Sequence, residues 1–175
     1  MKKDGVLRLV KAAVFAALTC VATMIISIPI PAVKGYVNAG DCVVLLGAVL
    51  LGPYYGAASA ALGSALADLL LSYAYYAPGT LIVKGLMALL AARLYLMLKH
   101  RTKFSVVIAA ISGELWMVLG YFLYESAVLG YGLGAVGGVP ANLLQAAGGA
   151  LLAVLLLRAL TAVPQSRLLF EEKEG

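Results

Sequence analysis

The chain has 175 residues, 63% of them hydrophobic and 12% charged, with a mean hydropathy of +1.01. A soluble domain carries about a quarter charged residues, so the composition excludes a soluble enzyme or nucleic-acid-binding module and marks an integral membrane protein. The formal net charge of +5 is explained by basic residues on cytoplasmic flanks rather than by nucleic acid.

A spanning helix needs about 20 mostly apolar residues, and candidate spans fall near 8–28, 41–52, 54–72, 78–98, 104–127 and 140–160. The expected fold is therefore an all-α integral membrane protein, a compact bundle of six transmembrane helices forming one domain over residues 1–175. Its expected location is a prokaryotic plasma membrane, as a multi-pass protein. Lys2, Lys3, Arg8 and Lys11 precede the first span; Arg93, Lys99, Arg101 and Lys103 flank the turn between the fourth and fifth; Arg158, Arg167 and Lys173 follow or close the sixth. Basic residues collect on the cytoplasmic side, which predicts that both termini are cytoplasmic.

In the first span, Ala12/Ala16 and Ala13/Ala17 form overlapping AxxxA pairs. Small residues at this spacing let another helix approach closely where lipid offers no hydrophobic drive. After it, Pro29, Pro31, Gly35 and Gly40 interrupt helix propagation. Residues 29–40 are expected to form an outer loop that covers a cavity as a lid. The second span offers only about 11 residues from Cys42 to Gly52, roughly half a crossing at 1.5 Å per residue. Cys20 and Cys42 have neither CxxC spacing nor a His partner, so they read as small buried hydrophobes, and no metal or catalytic cofactor is expected. The third span carries Gly52, Gly56, Ala60 and Ser64 at four-residue spacing, a packing stripe.

Polar side chains collect in the outer half. Asp41 opens the second span; Asp68 lies one turn before the outer end of the third; Thr80 and Lys84 share a face at the start of the fourth. Glu125 sits near the outer end of the fifth above Tyr121 and Glu114, and Asn142 and Gln145 line one face of the sixth. Tyr73, Tyr75 and Tyr76 form an outer aromatic group suited to a membrane interface, or to stacking on a ligand. Each ionisable group inside a bilayer is costly unless it meets a partner or a cavity. The variety of these groups favours a site for a small ligand rich in hydroxyl and ring-nitrogen groups. A structural rival pairs Asp68 with Lys84 as a link between the third and fourth helices. A different rival makes Asp41 and Asp68 an intramembrane aspartyl protease dyad.

The segments YVNAGDCVVLLGAVLLGPYYGAASAALGSALADLL and YAPGTLIVKGLMALL, together with the AxxxA helix, resemble the substrate-binding S components of energy-coupling factor (ECF) vitamin transporters. The resemblance implies capture of a vitamin on the outer side beneath the loop joining helices one and two. Delivery would use a transmembrane scaffold (T component) and two ATPase subunits, with the body toppling in the membrane. It also implies a lid around Pro31 to Asn38, binding roles for Asn38, Asp68, Lys84 and Asn142, and scaffold docking through Ala12, Ala13, Ala16 and Ala17. The sequence has no GxxxxGK[ST] phosphate loop, so ATP hydrolysis is expected of separate subunits and the chain itself is not expected to be an enzyme. The site residues expected from depth and resemblance together are Asn38, Asp41, Asp68, Tyr75, Lys84, Tyr121, Glu125, Asn142 and Gln145. The signature is most similar to members associated with vitamin B6, so a pyridoxine-like ligand comes first, with riboflavin or a hydroxymethylpyrimidine compound as the alternative.

Overall fold

A computed structural model describes residues 3–162; Lys2, Arg167, Lys173 and the hydrophilic end from Pro164 to Gly175 lie outside the described residues. Six α-helices occur in chain order: α1 (Lys3–Ile25), α2 (Gly40–Leu51), α3 (Pro53–Leu70), α4 (Ala77–Leu98), α5 (Ser105–Leu123) and α6 (Val139–Ala162). Each follows an apolar run of the sequence. The junctions fall where the backbone chemistry demands: Pro53 and Pro78 sit in first helical turns, where a missing N–H costs nothing. Gly52, at φ 81°, makes the tight turn between α2 and α3 that an L side chain would resist.

Residues 29–40 depart from the expected loop. The chain folds there into an antiparallel hairpin, β1 (Ser27–Ile30) and β2 (Gly35–Asn38), with Ser27 opposite Asn38 and Ile30 opposite Gly35. An apolar β-branched run on either side of a Pro and Gly turn supplies strand-forming residues that helix breakers keep out of α1. The fold is thus helical with one two-stranded ribbon, rather than wholly α. Helix α5 ends in a π-turn over Tyr124–Val128, and a 3-10 segment, Gly132–Gly138, leads into α6.

Four helical stretches among the described residues are long and apolar enough to cross a membrane: Gly5–Ile25, Ala77–Leu98, Ser105–Val128 and Gly132–Ala162. The short α2, with 12 residues, lies centrally, packed on α1, α3, α4 and α6. That placement resolves its missing length, because neighbouring helices rather than lipid surround most of it. Its Val44, Leu45 and Ala48 join Ala60, Met87, Ala88, Ala91 and Met117 in a core of small and flexible side chains.

Burial runs opposite to that of a soluble protein. Leu62, Ile82, Leu115, Leu144 and Leu151 point outward, while Asp41, Asp68, Lys84, Glu114, Glu125, Asn142 and Gln145 are buried. An apolar girdle that leaves the polar side chains to the interior, beside the apolar core, is what lipid solvation selects.

The AxxxA surface divides in two. Ala12 is only 7% exposed and Ala16 is half-buried, its carbonyl beside Gly63 of α3. Ala13 and Ala17 are exposed. The expectation that all four present one docking face is corrected: Ala12 and Ala16 serve the packing of α1 on its own bundle, because positions one residue apart on a helix point about 100° apart.

Candidate functional site

The C-terminal ends of α1, α3 and α5 and the N-terminal ends of α2, α4 and α6 meet at the end of the bundle capped by the hairpin. They enclose a cavity of about 420 Å³, its opening included, lined by side chains from the hairpin and from α1, α3, α4, α5 and α6.

Of the expected site residues, Asn38, Asp68, Lys84, Tyr121, Glu125, Asn142 and Gln145 line this cavity. Two do not. Asp41 lies beneath it, fully buried and paired with Lys84. Tyr75 is 43% exposed on the rim, where its hydroxyl donates to the Lys34 carbonyl at 2.5 Å and so ties the α3–α4 turn to the hairpin. The reading of Tyr75 as a stacking residue is corrected on that geometry; the inward member of the trio is Tyr76, 5% exposed.

Lys84 Nζ donates to Asp41 Oδ1, and Gln145 Nε2 donates to Asp41 Oδ2 at 2.6 Å. Gln145 Oε1 accepts from the backbone N–H of Asn38 at 2.7 Å. A buried ion pair that also has hydrogen bonds to its remaining lone pairs is the arrangement that offsets desolvation. The chain of contacts therefore runs from α4 through α2 and α6 into the hairpin. Asn38 Oδ1 accepts from the Gly40 N–H at 2.9 Å, an Asx turn that starts α2. Lys84 Nζ also lies 5.5 Å from the Tyr121 ring centroid, a cation–π contact.

The rival link between Asp68 and Lys84 is corrected in its partners. The hydroxyl of Tyr36, on β2, donates to Asp68 Oδ1 at 2.6 Å, while Lys84 goes to Asp41. With its two carboxylates engaged by different groups, the geometry of a proton-sharing aspartyl dyad, which needs both in mutual contact, is not formed. Tyr76 Oη sits 2.9 Å from Glu125 Oε1 and 3.0 Å from the Val33 carbonyl, a second attachment of the hairpin. Burial beside Glu125 pushes the Tyr76 hydroxyl well above its usual range, and burial against Asp68 does the same for Tyr36. Both phenols are therefore neutral hydrogen-bond donors.

Thr23, Tyr36 and Tyr76 line the cavity without having been singled out as site residues. Tyr76 stood in the aromatic group, so its signal was present; Thr23 and Tyr36 gave none, since a Thr in an apolar helix and a Tyr in a loop are ordinary. Below the cavity, Glu114 packs against Gly149 together with Asp41: a Cβ at Gly149 would meet Glu114 Oε1 and the Asp41 Cβ. Among the described residues, no group of three His, Cys, Asp or Glu side chains is arranged to hold a metal ion.

A family model described as the S component of the ECF-type riboflavin transporter matches residues 3–162. The chain belongs to this S-component family. ECF S components are transport subunits rather than enzymes, and this S component is a multi-pass membrane protein by family and by its apolar helices. It is also similar to an archaeal protein from Pyrococcus woesei, described as an uncharacterized protein in the gap 3' region. The two are 37% identical over 130 residues, covering 74% of this chain and 84% of the relative.

Proposed function

We propose that this S component captures a small water-soluble vitamin in the cavity beneath the hairpin and releases it inward in concert with an ECF scaffold subunit and two ATPases. The observation that carries this reading is the convergence of Asn38, Asp68, Lys84, Tyr121, Glu125, Asn142 and Gln145 on one cavity under the hairpin. Such a set supplies carboxylate acceptors, carboxamides and tyrosines for a hydroxylated ring. Asp41 acts one layer below by holding Lys84. A pyridoxine-like vitamin is the first substrate. Riboflavin is the second, favoured by the family description.

Six crossings with both termini cytoplasmic accompany this reading. The end of the bundle opposite the cavity carries Lys11, Arg93, Lys99, Arg101, Lys103 and Arg158, whereas the exposed hairpin contributes Lys34. The basic end faces the cytoplasm of a prokaryotic plasma membrane, which puts the cavity outside. Scaffold contact falls to the exposed pair Ala13 and Ala17.

Native mass spectrometry of the purified protein, with calorimetric titration of pyridoxine and riboflavin, tests the capture reading. A stoichiometric small molecule is expected, with affinity at least tenfold weaker in Lys84→Ala. A protein that binds neither vitamin and carries no small molecule overturns it.

A further inference from the structure

The buried charge-bearing side chains among the described residues are four acids and one base: Asp41, Asp68, Glu114 and Glu125 against Lys84. The base is committed, since Lys84 Nζ is paired with Asp41. The acids are only partly answered. Asp68 Oδ2 and Glu125 Oε2 are buried with no hydrogen-bond partner, although both residues line the cavity and each has its other oxygen bonded to a tyrosine hydroxyl. Asp68 is 2% and Glu125 3% exposed. An acceptor left bare in such a place carries its full desolvation cost until a donor arrives.

We propose that the cavity selects a vitamin-sized ligand carrying a positively charged nitrogen with N–H donors, an amine or a protonated ring nitrogen, held by Asp68 and Glu125; this rests on the reading of the cavity as the vitamin site. Charge-assisted N–H bonds to Asp68 Oδ2 and Glu125 Oε2 satisfy both orphan acceptors. The tyrosine walls act in the same sense, because Tyr36, Tyr76 and Tyr121 all line the cavity, and aromatic faces attract a cationic ring or ammonium. An anionic ligand finds no free cation there. A metal ion is a poorer occupant, given that no three ligating side chains converge among the described residues.

Pyridoxamine, pyridoxine and 4-pyridoxate share one ring and differ at one substituent: ammonium, hydroxymethyl and carboxylate. Calorimetric titration of each, and of riboflavin, into the full-length protein in lipid nanodiscs tests the proposal. Pyridoxamine is expected to bind at least tenfold more tightly than 4-pyridoxate, and Asp68→Asn and Glu125→Gln each to narrow that ratio. Equal affinities, tighter binding of 4-pyridoxate, or binding of riboflavin alone overturns the charge selection while leaving vitamin capture standing. Failure of all four compounds to bind overturns this proposal, and overturns the capture reading as well when the purified protein carries no small molecule. The wild-type ratio decides even where a variant does not fold.

Discussion

Gln145 bridges two layers: its Oε1 accepts from the Asn38 N–H of the hairpin at 2.7 Å, and its Nε2 donates to Asp41 at 2.6 Å. One carboxamide on α6 thereby connects a surface strand to the buried ion pair on α2 and α4. Gln145→Leu removes both bonds and leaves an amide N–H and a carboxylate oxygen unsatisfied, at about 1–3 kcal/mol for each buried group. Hydrogen–deuterium exchange is expected to rise over residues 27–38 while protection of α4 is kept; unchanged exchange in the hairpin sinks the coupling.

Lys84 and Asp41 form a buried pair, and removing one partner strands a charge in a dry interior. Lys84→Met is expected to cost about 3–5 kcal/mol, and the double change Lys84→Met with Asp41→Asn to recover a large part of it. Thermal unfolding in detergent checks the order: single variant lowest, double variant between it and the wild type.

Tyr36→Phe deletes only a hydroxyl and leaves Asp68 Oδ1 without its donor. Loss of about 1–3 kcal/mol follows from an abandoned buried acceptor, together with a faster release of bound vitamin. Stopped-flow dissociation measures it, and a rate equal to that of the wild type contradicts a role for the hairpin in retaining the ligand.

The α1–α3 contact and an open position on α6 separate by substitution. Gly63→Val drives a side chain into the Ala16 carbonyl and Thr19, which overpacking makes worth about 1–3 kcal/mol of destabilisation. Gly148→Ala, where a Cβ meets nothing within 4 Å, is expected to leave the melting temperature unchanged or raise it slightly.

Ala17→Leu fills the exposed small-residue surface without touching the cavity. Vitamin binding by the isolated protein should persist, whereas uptake by cells supplying the scaffold and ATPases should fall at least tenfold. Ala12→Leu, at a buried position, lowers folding yield instead. Loss of binding in Ala17→Leu counts against docking through this face.

Much of this architecture is local information. Hydropathy marked a membrane protein, and apolar runs bounded by Pro and Gly placed the helices to within a few residues, since both properties are read along a single segment. The end of the bundle that carries polar groups followed as well, because helices that alternate in direction put residues near 41, 68, 84, 125 and 142 at the same end. The tertiary structure decided the partners. Lys84 meets Asp41 rather than Asp68 because the short α2 is drawn to the centre of the bundle, a lateral placement that no periodicity encodes. It also decided that Tyr36 and Tyr76 turn inward while Tyr75 stays on the rim, that residues 27–38 pair as strands, and that Ala12 is buried in the bundle while Ala13 faces outward. Each of these depends on which helix stands beside which, and proximity between distant segments is set only when their surfaces pack.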